Sequence, residues 1–260
     1  MNQAARSGVG ARLRGVVPAL GRHGFALASW TFRRARAELA ILATICAVAG
    51  GIWAFVAIAD EVSEGETEAF DRAVLIALRN PADLSDPLGP PWFEEAVRDV
   101  TALGGNIVLA TMTFAVIGFL LLIRNRGAAL LVLVSVAGGM LIGYLLKGMF
   151  DRPRPDLVAH GAAVYTASFP SNHAMLSAVT YLTLGVLLAR LEVRRRVKAY
   201  FLALSAILTL AVGLSRIYLG VHWPTDVLAG WCVGAAWAMA VWVVALSLQR
   251  RGRVEGSAAE

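Results

Sequence analysis

Residues 147–173 read KGMFDRPRPDLVAHGAAVYTASFPSNH and separate two long apolar runs with a polar segment. The segment begins with the lysine that ends one run, and a Pro-Ser-Asn-His sequence introduces the next. Lys147, Arg152 and Arg154 place positive charge at the edge of an apolar segment, where a cation requires an anionic partner. We expect this partner to be a phosphate, so the segment predicts both a break between membrane helices and an anion site.

The composition is that of a membrane protein. Of the 260 residues, 58% are hydrophobic and 16% are charged, whereas an ordinary soluble domain has about 45–50% and about 25%. The formal net charge of +6 is spread in short clusters between apolar runs, as the positive-inside rule predicts, and this argues against a nucleic-acid partner. We therefore expect an all-α fold, a polytopic bundle of membrane helices.

Six apolar runs predict six transmembrane helices, because a helix of about 20 apolar residues crosses the hydrocarbon core. The predicted spans are residues 39–58, 107–123, 128–146, 174–191, 199–214 and 227–248. The first two spans are separated by an acidic outer loop, residues 60–105, which carries four prolines. We expect short helices around residues 66–78 and 92–103 of this loop.

The basic residues predict how the six spans are oriented. An even number of spans returns both termini to one side, so the six-span domain, residues 38–248, is flanked by two tails on that side. These tails, residues 1–37 and 249–260, together with residues 124–127 and 190–198 on the same side, hold 17 of the 24 Lys and Arg residues. The positive-inside rule therefore predicts N-in and C-in, with the polar segment outside. We expect an integral protein of the bacterial inner membrane, with its site facing the periplasm or exterior.

A second polar cluster, residues 215–226 (SRIYLGVHWPTD), lies between the fifth and sixth spans on the same side as the first. Pro224 suits the first position of a helix, which places Asp226 in the first turn, within reach of the ring N–H of His222. Such a carboxylate either complements the helix dipole or fixes the tautomer of a nucleophilic histidine. Arg216, at the end of the fifth span, requires an anionic partner.

The start of the fourth span is a further candidate for anion binding. Ser171 is placed to cap this helix through its hydroxyl, and the free amides of a helix N-terminus bind anions. His173 falls in the first turn of the same helix. A lone histidine near a membrane interface is more often a hydrogen-bonded polar residue than a catalyst. The presence of His222 on the same face favours the catalytic alternative.

Other features of the spans indicate packing. Gly139-x-x-x-Gly143 and Gly230-x-x-x-Gly234 have the spacing that lets helices approach closely. Cys46 and Cys232 each lie in an apolar run, and we expect two separate core thiols.

Three motifs in this order resemble the signature of the phosphatidic-acid phosphatase type 2 superfamily, whose membrane branch contains lipid phosphate phosphatases. They are Lys147-x6-Arg154-Pro155, Pro170-Ser171-Asn172-His173 and Ser215-Arg216-x5-His222-x3-Asp226. The second motif usually reads Pro-Ser-Gly-His in that family, so Asn172 is a departure from it. The six-span pattern of the membrane branch covers about residues 39–248.

The resemblance implies a role for each motif residue. His222 would attack phosphorus to form a phosphohistidine, Asp226 would orient it, and His173 would protonate the leaving oxygen and later help activate water. The residues implied to hold the phosphoryl oxygens are Lys147, Arg154, Ser171, Asn172 through its backbone amide, and Arg216. Arg152 fits the spacing less well and is expected to be auxiliary. We expect no metal or other cofactor, because cationic side chains take the part that a metal takes elsewhere.

The resulting expectation is a metal-independent membrane phosphatase that acts on a lipid phosphate or diphosphate at the extracytoplasmic face. Substrates plausible for the family are phosphatidic acid, phosphatidylglycerol phosphate, undecaprenyl diphosphate and the 1-phosphate of lipid A. Two alternatives stay open: a lipid phosphotransferase with an acceptor other than water, and a non-catalytic protein that binds or transports anionic lipids. The sequence does not choose among the substrates and does not predict the oligomeric state.

Overall fold

The computed structural model describes residues 38–157 and 167–250. The predicted tail of residues 1–37 lies outside the described residues, as do residues 251–260 of the second tail. Every contact discussed below lies within the compact unit that begins at Ile45.

The described residues form eight helices and one short hairpin. The helices are α1 Glu38–Glu64, α2 Glu68–Ala77, α3 Pro91–Ala102, α4 Asn106–Leu122, α5 Arg126–Lys147, α6 Asn172–Leu191, α7 Arg195–Tyr218 and α8 Pro224–Arg250. Strands β1 (Arg79–Asn80) and β2 (Asp83–Pro87) pair antiparallel between α2 and α3. Five helices are each long and apolar enough to cross a membrane, and α3 with α4, which meet at a bend of 47°, can supply a sixth span. The predicted all-α membrane bundle is confirmed.

The helices extend beyond the apolar runs that predicted them. Helix α1 continues to Glu64, through residues that the sequence assigned to the acidic loop, and α7 begins at Arg195. Hydropathy marks only the apolar part of a span, whereas charged residues such as Glu and Arg are good helix formers that prolong it. The two short helices of the outer loop occur where they were expected, as α2 and α3. The hairpin was not predicted, because its strands are too short to show an alternating pattern.

Helix α6 lies at the centre of the bundle and packs against α4, α5, α7 and α8. Both glycine pairs that the sequence singled out face it. A Cβ at Gly139 would lie 3.0 Å from Val179, and a Cβ at Gly230 would lie 2.7 Å from the carbonyl oxygen of Ser171. The predicted packing role of these glycines is confirmed, since a side chain there would push α5 or α8 away from α6.

Substitution of Gly234 by alanine is expected to destabilise this packing. The new methyl group would overlap the backbone carbonyl oxygen of Met175, which has no rotamer with which to move aside. We expect Gly234→Ala to lower the free energy of unfolding by about 1–3 kcal/mol. Thermal unfolding in detergent measures this. At Gly118 in α4 a Cβ meets no described atom within 4 Å, so Gly118→Ala is the matched control, and equal melting temperatures for the two variants would contradict the packing argument.

The turn between α7 and α8 presents His222 and is shaped by one glycine. Gly220 has a positive φ of 69°, a conformation that glycine adopts without strain. The N–H of Gly220 donates to the carbonyl of Ile217 (2.9 Å) and that of Val221 to the carbonyl of Arg216 (3.2 Å). These two bonds form a Schellman motif, which ends α7 and reverses the chain. Pro224 then begins α8, as predicted.

Candidate active site

The two polar segments meet at one end of the bundle. The backbone N–H of Ser171 donates to the carbonyl oxygen of Asp226 (3.0 Å), which joins the start of α6 to the start of α8. The structure places the predicted site residues at this end: Lys147 at the end of α5, Arg154 in the loop that follows, Ser171, Asn172 and His173 at the start of α6, Arg216 at the end of α7, His222 in the turn and Asp226 in the first turn of α8.

His222 and Asp226 form the centre of the site. Nδ1 of His222 lies 3.3 Å from Oδ2 of Asp226, and the two side chains are 2% and 0% exposed. An ionised carboxylate only accepts hydrogen bonds, so Nδ1 carries the ring proton and Nε2 keeps a lone pair. The same carboxylate oxygen accepts from the backbone N–H of Trp223 (2.9 Å), which fixes its position. The pair therefore has the geometry of a histidine whose Nε2 is free to act as a nucleophile.

Burial keeps His222 neutral. Loss of hydration lowers the pKa of His222 to about 4, although the hydrogen bond and the charge of Asp226 act in the opposite direction. The positive charges of Arg154 and Arg216 also disfavour the imidazolium form. At neutral pH the ring is therefore unprotonated at Nε2, as a nucleophile requires.

A guanidinium group lies beside that nitrogen. Nη1 of Arg154 is 3.3 Å from Nε2 of His222, and it also donates to the carbonyl oxygen of Val221 (2.9 Å). Burial lowers the pKa of Arg154, but a guanidinium still carries its charge at neutral pH. A phosphoryl group on Nε2 would therefore lie next to a cation that can donate to its oxygens.

Two further cations approach the same place. Lys147 donates to the carbonyl oxygen of Ala167 (2.6 Å), and Arg216 donates to the hydroxyl of Thr101 (3.2 Å). Within residues 38–157 and 167–249, neither Lys147 nor Arg216 forms an ion pair with a carboxylate. Partly buried cations without a carboxylate make this end of the bundle a strong anion site.

His173 lies in the first turn of α6, beside the junction of α3 and α4. A Cβ at Gly104 in that junction would be 3.4 Å from Cδ2 of His173. The ring of His173 interacts electrostatically with four groups of the site, Arg216, His222, Arg154 and Lys147. This places a second histidine close to the same anion site.

Ser171 occupies the N-cap position of α6, but the predicted cap bond is wrong. Its hydroxyl makes no capping bond and is fully buried, with no partner within residues 38–157 and 167–250. The backbone of Ser171 is held by Asp226 on α8 instead, so the residue does not depend on its own side chain to begin the helix. An unpaired buried hydroxyl beside the free amides of a helix N-terminus can donate to a bound anion.

Asn172, where the related motif has glycine, is accommodated by a glycine on the neighbouring helix. A Cβ at Gly143 of α5 would lie 2.8 Å from Oδ1 of Asn172, and this oxygen is buried without a partner in the part of the chain that the structure describes. The side chain thus fills the space that Gly143 leaves. Its backbone amide stays in the first turn of α6, where it can face an anion.

Arg152, which the sequence indicated as auxiliary, instead pairs with two buried carboxylates of the described site. Its Nη1 lies 2.7 Å from Oδ1 of Asp226, and its Nη2 lies 2.6 Å from Oδ2 of Asp71. Nη1 also donates to the hydroxyl of Thr225 (2.8 Å) and Nη2 to that of Thr67 (3.1 Å). Motif spacing could not show this, because Arg152 lies outside the Lys-x6-Arg-Pro pattern and its partners are distant in sequence.

Asp71 and Thr67 were missed by the sequence analysis. Both lie in the acidic outer loop, and Asp71 is fully buried. Asp71 is at helical spacing with Leu75 and Leu78, which pack in the core. An acidic residue on the apolar face of a short helix was therefore the signal from which its burial could have been predicted.

Ser168 was missed as well. Its hydroxyl is fully buried, donates to Oδ2 of Asp226 and lies 3.4 Å from Nδ1 of His222. Ser168 lies outside the three motifs, so no sequence pattern pointed to it.

The described residues contain no group of three or more His, Cys, Asp or Glu side chains that could hold a metal ion. The thiols of Cys46 and Cys232 are both free, as expected, but Cys46 is exposed and Cys232 is half-buried, so the predicted core position is wrong for Cys46.

Comparison with known proteins gives a consistent set of similarities. The family described as the PAP2 superfamily matches residues 128–250. Phosphatidylglycerophosphatase B of Bacillus subtilis is 31% identical over 55% of this chain and 71% of its own length. Decaprenylphosphoryl-5-phosphoribose phosphatase of Mycobacterium tuberculosis is 32% identical over 50% of this chain and 69% of its own length. A crystal structure of a transmembrane PAP2 type phosphatidylglycerolphosphate phosphatase from Bacillus subtilis superposes with a TM-score of 0.65 and 25% identity, covering 80% of this chain and 98% of that one.

Proposed function

Because this chain belongs to the PAP2 superfamily and is a membrane lipid phosphatase, we propose that it hydrolyses a lipid phosphomonoester or diphosphate through a phosphohistidine on His222. The observation that carries this proposal is the position of Nε2 of His222. It keeps a lone pair, it lies 3.3 Å from Nη1 of Arg154, and Lys147 and Arg216 interact with the same site without a carboxylate partner among the described residues. Binding alone requires no such nucleophile.

In the first step the phosphate binds among Lys147, Arg154 and Arg216, with the Ser171 hydroxyl and the Asn172 amide as further donors. Nε2 of His222 then bonds to phosphorus while the bond from phosphorus to the leaving oxygen breaks. His173 gives its proton to that oxygen, and Asp226 stabilises the positive charge that develops on the His222 ring. The cationic residues stabilise the negative charge spread over the phosphoryl oxygens, which is the main requirement of phosphoryl transfer.

In the second step water replaces His222 on phosphorus. His173, which lost its proton in the first step, accepts one from the attacking water. The oxygen–phosphorus bond forms as the bond from Nε2 to phosphorus breaks, and inorganic phosphate leaves. The site returns to its starting state, with the proton on His173 and the proton of His222 on Nδ1.

We place the site at the extracytoplasmic face of a bacterial inner membrane. The support is the distribution of Lys and Arg residues, most of which fall in the tails and in the links opposite the site. The relatives named above act on lipids that carry a terminal phosphate. This favours phosphatidylglycerol phosphate or a polyprenyl-linked phosphate over soluble phosphate esters as substrate.

Phosphate release by the purified protein in detergent, from phosphatidic acid and from undecaprenyl diphosphate, tests the proposal. We expect release to continue in EDTA, because side-chain cations stabilise the phosphoryl oxygens in the steps above. Loss of activity in EDTA and its recovery on addition of Mg²⁺ would contradict a metal-independent mechanism. Transfer of labelled phosphate to a lipid or alcohol rather than to water would indicate a phosphotransferase.

A further inference from the structure

One carboxylate outside the three motifs, Asp71, is joined through Arg152 to Asp226, the partner of the reacting histidine. We propose that Asp71 is a positioning residue for the reaction, acting through Arg152 and Thr225 on Asp226 and so on His222. This inference rests on the proposed function, in which Nε2 of His222 attacks phosphorus.

The contacts of Asp71 are short, buried and directed at the start of α8. Its Oδ2 accepts from Nη2 of Arg152 (2.6 Å) and from the hydroxyl of Thr225 (2.6 Å), and its Oδ1 accepts from the backbone N–H of Thr225 (2.9 Å). Asp71 is fully buried and the side chain of Arg152 is only 11% exposed. A buried carboxylate is stable only with such partners, so Asp71 and Arg152 hold each other in place.

Arg152 divides its two terminal nitrogens between two carboxylates. Nη2 faces Asp71 and Nη1 faces Oδ1 of Asp226 at 2.7 Å. Because Arg152 engages Oδ1, the other oxygen of Asp226 is left to face Nδ1 of His222. The orientation of the Asp226 carboxylate, and with it the alignment of the imidazole, therefore depends on where Arg152 is held.

Removal of the Asp71 charge would release one side of that arrangement. In Asp71→Asn one carboxylate oxygen becomes an NH2 group, which donates and cannot accept, so the side chain can no longer accept from both Nη2 of Arg152 and the backbone N–H of Thr225. The guanidinium group of Arg152 could then move together with the Asp226 carboxylate instead of holding that carboxylate in one orientation. A misplacement of about 1 Å at a reacting group, even one caused from a distance, can cost on the order of 100-fold in rate.

A single-turnover experiment separates positioning from a purely structural role. Wild type, Asp71→Asn and the matched control Glu68→Gln, an exposed acid on the same helix, are mixed in detergent with phosphatidic acid carrying a ³²P phosphate. The rate constant of phosphoryl transfer is then measured by rapid quench at alkaline pH as the loss of labelled lipid, with the labelled phosphoenzyme recorded beside it, and vanadate bound per mole of protein gives the folded fraction. For Asp71→Asn we expect the rate constant to fall about 10- to 100-fold with vanadate binding per mole of protein retained. Glu68→Gln is expected to match wild type in both.

Lower vanadate binding with a wild-type rate constant would overturn the proposal, because it would mean that Asp71 only keeps the protein folded. A wild-type rate constant with full vanadate binding would overturn it as well. Should Asp71→Asn fail to fold, Thr225→Val decides, since it removes one hydrogen bond to Asp71 and one from Arg152 without changing any charge. A fall of the rate constant in Thr225→Val supports positioning, and an unchanged constant contradicts it. Absence of phosphoenzyme in the wild type would contradict the proposed function itself and remove this inference with it.

Discussion

Replacement of His222 by glutamine is expected to reduce lipid phosphate hydrolysis on the order of 10⁴-fold or more, the scale seen when an enzyme loses its nucleophile. Nε2 of His222 is the atom proposed to bond to phosphorus, and an amide nitrogen has no lone pair available for that bond. Phosphate binding should remain, because Lys147, Arg154 and Arg216 are unchanged. The measurement is phosphate release by the purified variant, beside vanadate binding as a test of the intact anion site.

The same substitution at His23 is the matched control, because His23 lies outside all three motifs. His23→Gln is expected to hydrolyse lipid phosphate at the wild-type rate. Wild-type activity in a clean preparation of His222→Gln would mean that another group is the nucleophile.

Replacement of Arg152 by alanine is expected to lower the free energy of unfolding by about 3–5 kcal/mol, the cost of leaving a buried charge without its partner. The variant would leave two carboxylates without their cation at once, since Asp71 and Asp226 are both fully buried and both pair with Arg152. Thermal or denaturant unfolding in detergent measures the loss without reference to catalysis.

Arg98 provides the control for this prediction. It pairs with Glu94 at 2.5 Å on the surface of α3, and its side chain is 65% exposed. An exposed ion pair of this kind contributes only about 0–1 kcal/mol, so Arg98→Ala should be nearly as stable as wild type. If Arg152→Ala and Arg98→Ala lower the free energy of unfolding by the same amount, the ion pairs of Arg152 do not hold α2 and α8 together as described.

Much of the site could be predicted because membrane topology limits where polar segments can lie. Lys147, His173, Arg216 and Asp226 each lie at or near the end of a span, and the count of spans places all four ends on one face. The internal spacing of His222 and Asp226 places the carboxylate in the first turn of α8, where the structure has it. These inferences needed only local patterns and the length of a membrane helix.

The network around Arg152 could not be predicted in the same way. Asp71 is one of many acids in the outer loop, and its partner Thr225 is 154 positions away in sequence. Burial decides which of those acids is structural, and burial depends on how α2 packs on α8. Ser171 illustrates the same limit: its position at the start of α6 followed from the sequence, but its hydroxyl makes no capping bond and has no partner among the described residues.

The most direct test of the central claim is to identify the phosphorylated residue. The protein is mixed with phosphatidic acid carrying a ³²P phosphate, quenched at alkaline pH and digested, and the labelled peptide is sequenced by mass spectrometry. We predict an acid-labile, alkali-stable label on the peptide that contains His222, and no label in His222→Gln. Rapid phosphate release without any labelled intermediate, or a label on another residue, would contradict the proposed mechanism.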